Sequence, residues 1–330
     1  MELKEELPLS HGASQRKAHF DHELASIIRG DVERRVLVIG PCSADREDAV
    51  LDYVMRLAKL QERVAEKLLL VPRVYTNKPR TKGTGYKGLL HQPNPEAKED
   101  LLEGLKAIRR MHLRVAEETG LFPADEMLYP DNSRFLSDIL SYVAIGARSV
   151  ENQQHRMVAS GVDTPVGLKN PTGGSLDVML NSIYAAQQPQ TFIYRNWEVA
   201  TSGNPLAHAV LRGYIGSNGT NRPNYHYEFL ERLLETYLPG RYQNPAVMID
   251  CNHDNSGKRP LEQARICNEV LDSMARNEGI NCLVRGFMIE SYLEDGSQPV
   301  DGGVYGKSIT DPCLGWEKSE RLVLDIAERL

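Results

Sequence analysis

The sequence predicts an α/β protein built as a (β/α)8 TIM barrel, and three observations predict it. Short apolar runs alternate with amphipathic segments about eight times along the chain, the rhythm of parallel βαβ units. The runs end in Gly, Pro or charged residues, as buried strands leading into loops do. The chain has 330 residues, a length that α/β barrels occupy as one unit although a simple count suggests two domains. An open doubly wound sheet is the second choice.

The elements follow in order. Residues 1–35 are mixed and polar, and a helical stretch around Ser14–Ile28 ends at Gly30, so they form an N-terminal arm and helix. The single catalytic barrel then runs over 36–330. Its first strand is VLVIG (36–40), and a helix is predicted over 45–67 from apolar residues at helical spacing. The second strand is predicted over 68–75, and a helix over 100–119 ends at Gly120. Further strands are predicted over 121–128, 143–150, 165–169, 207–213, 246–250 and 281–289. Helices are predicted over 133–142, 153–159, 176–186, 225–237, 260–277 and 318–330. A short strand over 191–194, with a loop or hairpin after it, makes a small insertion before the sixth barrel strand.

Composition excludes several classes. With 41% apolar and 25% charged residues the chain can bury a large core. A net charge of −6 argues against a nucleic-acid or anionic-membrane partner. No apolar run approaches the length of a membrane span, and the acidic MELKEELPLSHG start is unlike a signal peptide. The 5 Cys are scattered and odd in number, which fits a reducing cytoplasm.

The stretch RVYTNKPRTKGTGYKG (73–88) leaves the second strand with five cations and no acid. Guanidinium and ammonium groups beside Gly-rich backbone suit phosphate or carboxylate oxygens. In a barrel the strand ends converge on one mouth. There, Arg73, Lys78, Arg148, Lys169 and Arg212 form a set of cations with few acids beside them, suited to a ligand with more than one anionic group. Separate salt bridges are the other reading of that set. Cys42, His253, Glu290 and Asp311 offer a thiolate, an imidazole and two carboxylates, donors for a divalent first-row metal such as Mn, Fe, Co or Zn. No CxxC-like spacing supports them. By spacing alone, Cys42 packing in the mouth and His253 bonding a neighbour explain them as well.

The motifs GPCS (40–43), KPRT (78–81), IGAR (145–148), VGLKN (166–170), LRG (211–213), NH (252–253), ES (290–291) and YGKSITDPCLGW (305–316) together resemble the type I 3-deoxy-D-arabino-heptulosonate 7-phosphate (DAHP) synthases. The resemblance is to the branch with aromatic-feedback-regulated bacterial members, and it keeps all motifs in order from residue 36 to the end. It implies a metal-dependent transferase that condenses phosphoenolpyruvate with erythrose 4-phosphate, the first step of the shikimate pathway. It implies metal ligation by Cys42, His253, Glu290 and Asp311. Phosphoenolpyruvate is implied to lie against Arg73, Lys78, Glu126, Ala147, Arg148, Lys169, Arg212 and His253, and the acceptor phosphate at Arg80 and Thr81. Lys78, His253 and Glu126 are the expected catalytic residues. A homodimer or homotetramer is expected from the family.

Three departures stand out. The loop KGTGYKG (82–88) is one residue longer than the family's usual form and has Tyr86 in place of Trp. The strand that carries the Glu reads DEMLY (125–129) where the family often has GEFLD. The segment 192–203, a hairpin bordering the aromatic amino acid site in regulated members, is shorter, and so is the N-terminal arm. Weak, altered or absent feedback inhibition is therefore expected. The altered loop motivates one alternative, condensation with another aldose phosphate such as arabinose 5-phosphate or a specialised-pathway copy. A non-catalytic binding protein on the same scaffold is disfavoured, because every ligand and cation is present.

Overall fold

The computed structural model describes residues 2–80 and 83–330. Eight parallel strands form the centre: β1 (Arg35–Gly40), β2 (Leu68–Pro72), β3 (Ala124–Glu126), β4 (Tyr142–Ile145), β5 (Val166–Lys169), β6 (Ala207–Leu211), β7 (Val247–Asp250) and β8 (Val284–Glu290). Each lies beside its sequence neighbours, and β1 pairs with both β2 and β8. A single parallel bridge, Arg73 to Ala124, joins β2 to β3 and closes the ring. The barrel predicted from the sequence is the fold found.

The strands are buried nearly end to end, because helices cover their outer face and side chains fill the interior. Two of the helices show why they begin and end where they do. Ser10 caps helix His11–Arg29 by accepting from Ala13 N–H at 3.1 Å, and Asp100 caps helix Leu101–Thr119 by accepting from Glu103 N–H at 3.1 Å. Gly30 and Gly120 end the same two helices in left-handed conformation.

Several boundaries differ from expectation, two of them for a visible local reason. The helix expected over 133–142 is a 3-10 turn, Pro130–Phe135, and Tyr142 already belongs to β4. There the Phe135 carbonyl is taken by buried Arg109 (2.7 Å), which competes with helical bonding. The strand expected to start at residue 281 starts at Val284, because Asn277 caps a short helix, Glu278–Leu283, by accepting from Ile280 N–H at 3.3 Å. The expected strands over 68–75, 121–128 and 143–150 shorten to β2, β3 and β4.

The insertion before the sixth strand is a two-stranded hairpin, with Thr191–Tyr194 antiparallel to Trp197–Ala200. Its two-residue turn holds Arg195 and Asn196 at φ 51° and 67°, the conformation tight hairpins require. Tyr194 Oη donates to the Pro130 carbonyl at 2.8 Å, so the hairpin docks over the 3-10 turn. The fold places every strand's C-terminal end at one mouth.

Candidate active site

A cavity of about 200 Å³ opens at that mouth. Its walls carry Cys42, Arg73, Lys78, Arg80, Glu126, Ala147, Arg148, Lys169, Arg212, His253 and Asp311. Every expected site residue is therefore gathered here except Glu290, which lies buried just behind Arg73, and Thr81, which falls outside the described residues. Two glycines make the gathering possible. A Cβ at Gly40 would stand 2.4 Å from the Arg73 carbonyl oxygen, and one at Gly146 would stand 2.2 Å from Glu126 Oε1.

Cys42, Glu290 and Asp311 form the one group of this kind among the described residues, with donor atoms within 4.8 Å of one another. Lys78 Nζ lies 2.6 Å from Cys42 Sγ and 3.3 Å from Asp311 Oδ2, so an ammonium occupies the position of a cation among these donors. A thiolate, two carboxylates and a resident positive charge fit a divalent metal. His253, the fourth expected ligand, stands outside this triad. Its Nε2 is 3.6 Å from Glu290 Oε1. Its Nδ1 is 2.8 Å from Asp250 Oδ2.

The electrostatics are those of a buried ion network. Burial pushes the Cys42 thiol pKa up, the Glu290 charge adds to this, and Lys78 opposes it. Burial alone would raise Glu290 as well, but Arg73, His253 and Lys78 overcome it and hold the carboxyl below its ordinary value. Asp311 is held well below its ordinary value, because Lys78 and a hydrogen bond from Lys258 outweigh its burial. Burial works against the Lys78 charge, but Cys42 and Asp311 prevail and raise its pKa, so the ammonium keeps its proton through neutral pH. For His253 burial dominates, and its pKa falls.

Against the expectation of few acids, the cations have carboxylate partners. Arg73 Nη2 meets Glu290 Oε1 at 2.9 Å, Lys169 Nζ meets Asp250 Oδ2 at 2.8 Å, and Arg212 Nη1 meets Asp254 Oδ2 at 2.5 Å. Both readings of the cations are thus true together: they are paired, and they converge. Arg148 is exposed at the rim. Arg80 is steered by its Nε–H, which donates to the Tyr86 carbonyl at 2.8 Å, so the unusual loop reaches the site through its backbone.

Several contributors were missed in the sequence. Asn252 Nδ2 donates to Glu290 Oε2 at 2.5 Å. Gln263 brackets the Glu290 backbone, donating to its carbonyl at 2.9 Å and accepting from its N–H at 2.8 Å. Asp250 anchors Lys169 and faces His253. Asn252 and Asp254 flank His253 in the sequence, and that adjacency was the available signal. Gln263 lies in a helix and gave none.

A second cavity, of about 430 Å³ and largely apolar, lies under the hairpin and shares Asn77 and Glu126 with the first. No described helix is long and apolar enough to cross a membrane.

The comparisons with known proteins agree with this geometry. Residues 9–324 match the family model described as the DAHP synthetase I family. The chain is 37% identical to the Phe-sensitive phospho-2-dehydro-3-deoxyheptonate aldolase of Escherichia coli (strain K12), an alignment covering 98% of this chain and 92% of that protein. It is 36% identical to the phenylalanine-inhibited enzyme of Saccharomyces cerevisiae, covering 99% and 89%. The solved structure of phospho-2-dehydro-3-deoxyheptonate aldolase from Francisella tularensis SCHU S4 superposes with a TM-score of 0.91 at 30% identity, covering 99% of this chain and 94% of that one. Barrel, mouth chemistry and relatives lead to one conclusion: the chain belongs to the DAHP synthetase I family.

Proposed function

We propose that this mouth carries out the family's condensation of phosphoenolpyruvate with erythrose 4-phosphate, with the residue roles that follow. The observation that carries the reading is the convergence of cations from several strand ends on one cavity beside a thiolate–carboxylate triad. Phosphoenolpyruvate has a carboxylate and a phosphate, and two anionic groups match that many positive side chains. Arg148 and Lys169 hold the phosphate, and Arg73, Lys78 and Arg212 complete the cradle. Arg80 and Thr81 take the acceptor's phosphate.

Cys42, Glu290 and Asp311, with His253 alongside, are the residues to hold a divalent ion of Mn, Fe, Co or Zn, which when bound polarises the acceptor's aldehyde. C3 of the enol ester then bonds to the aldehyde carbon. Lys78, kept protonated by its acidic neighbours, gives a proton to the new alkoxide. Water adds at C2, positioned by Glu126, and phosphate leaves by C–O cleavage. Paired cations work chiefly by orientation, since their partners already fix their rotamers.

Residues 1–35 act as an arm on a single catalytic barrel, 36–330, and the assembly is a homodimer or homotetramer in the cytoplasm. Feedback is weak, altered or absent, because the hairpin over the second cavity is short. Phosphate release from phosphoenolpyruvate with erythrose 4-phosphate, with and without chelator, tests the main reading; no turnover with metal present overturns it. Calorimetry with Phe, Tyr and Trp tests the regulatory one, and tight binding of any of them overturns it.

A further inference from the structure

The buried carboxylate of Asp125 has no part in the chemistry described so far. It is 2% exposed. It gathers three donors from two different strand ends. Thr76 N–H donates to Oδ1 at 2.9 Å, Thr76 Oγ1–H donates to Oδ2 at 2.5 Å, and Glu126 N–H donates to Oδ1 at 2.7 Å. Thr76 lies two residues before Lys78, and Glu126 follows Asp125 directly. On the far side, His112 Nε2 lies 3.5 Å from Oδ2 and has no hydrogen-bond partner, while its Nδ1–H donates to the Ile108 carbonyl at 2.7 Å.

We propose that Asp125 is a positioning residue, a carboxylate tie that fixes the chain after β2 to the end of β3 and so sets the spacing between Lys78 and Glu126. This rests on the roles given to Lys78 and Glu126 above. Backbone N–H groups accept no substitute geometry from a smaller residue: with Gly here, the Thr76 and Glu126 amides would need water or another acceptor. A tie between two catalytic groups matters because small displacements at reacting atoms cost large factors in rate.

The tie also responds to protons. Burial pushes the Asp125 pKa up to about 7, against the pull of the Thr76 hydrogen bonds, and the charge of Glu126 adds to the rise. The other titratable groups facing it are His112, whose pKa burial lowers to about 4, and Tyr75, raised by burial; Lys17 and Asp21, paired with each other, share its cavity wall. Three donors suit the ionised carboxylate, whereas the protonated form has a hydrogen of its own to place, and the bare His112 Nε2 is the acceptor within reach. Turnover is therefore expected to rise as pH passes through about 7.

The experiment compares Asp125→Asn with the parent by kcat and KM for phosphoenolpyruvate from pH 5.5 to 8.5, using the metal-loaded enzyme. The amide keeps the volume and the Oδ1 acceptor but replaces Oδ2. About a ten-fold fall in kcat, with KM nearly unchanged and the limb near pH 7 lost, is expected. Unchanged kcat and profile in a folded variant overturn the proposal. Should Asp125→Asn fail to fold, Thr76→Val and Thr76→Ser decide: loss in the first with recovery in the second supports the tie, and equal behaviour refutes it. A Lys78→Ala variant run alongside separates the two levels. Normal turnover there overturns the role of Lys78, whereas loss there with an unaffected Asp125→Asn overturns only the tie.

Discussion

Gly146→Ala is a clean probe of the mouth. Gly146 follows β4 and is not among the glycines held at positive φ, so alanine meets no backbone obstacle. The new methyl would stand 2.2 Å from Glu126 Oε1, whereas ordinary contact begins at 3.4 Å. The carboxylate must retreat by roughly 1.2 Å, and it can, being the far end of a flexible side chain. If Glu126 places the water as proposed, a displacement of that size is expected to lower kcat about 100-fold, or about 2.7 kcal/mol in the barrier. Stability should move by less than about 1 kcal/mol, because no buried contact is broken. Phosphate release and thermal melting on the same sample read both quantities. A folded variant that turns over like the parent refutes the role of Glu126 and the geometry behind it.

Other perturbations separate metal, arm and protonation. Cys42→Ser keeps the shape but removes the soft donor, so metal-supported turnover should collapse and metal affinity measured by titration should fall at least ten-fold, by about 1.4 kcal/mol; full activity contradicts the triad. Arg109 is fully buried and donates to the Leu7 and Phe135 carbonyls, both at 2.7 Å, and to both Asp138 oxygens at 2.9 Å. Arg109→Met should cost about 3 kcal/mol and expose residues 2–9 to proteolysis, and unchanged melting and digestion would count against this anchor. His208 is buried, and burial lowers its pKa to about 4. The folded state thus disfavours a proton that the unfolded chain takes up below about 6.5, so stability present above that pH is lost as pH falls toward 4, by about 3 kcal/mol. Urea melts at pH 7 and 4.5 should show this slope, and His208→Gln should flatten it; an equal slope in both sinks the assignment.

Much of this arrangement was legible in the chain itself. VLVIG, PVGLK and AVMID are short apolar runs that only a doubly covered parallel strand explains, and each carries a polar or charged group where it ends. The strand ends alone assemble Cys42, Arg73, Arg148, Lys169, Arg212, His253 and Glu290. What stayed hidden depends on contacts between segments distant in sequence. The pairing of Arg212 with Asp254 depends on how the chain turns after β7, where His253 sits at φ 44°. The start of β8 depends on an Asn277 cap that local propensity does not announce. Gln263 is one polar residue among many on an amphipathic helix until its amide is seen against the Glu290 backbone. Asp125 was visible only as a departure from pattern, and two of its three donors come from Thr76, 49 positions away.

The ring is uneven around its circumference. β1 shares five residue pairs with β2 and five with β8, but β2 and β3 share only the bridge from Arg73 to Ala124, extended by Val74 N–H donating to the Ala124 carbonyl at 3.0 Å. This is the joint with the fewest rungs, and the Thr76–Asp125 bonds continue it where backbone pairing stops. Breathing of the cylinder is easiest along that line, so amide exchange there should outpace exchange in β1. At this one stave of the mouth, side chains do the tying that backbone ladders do elsewhere in the ring.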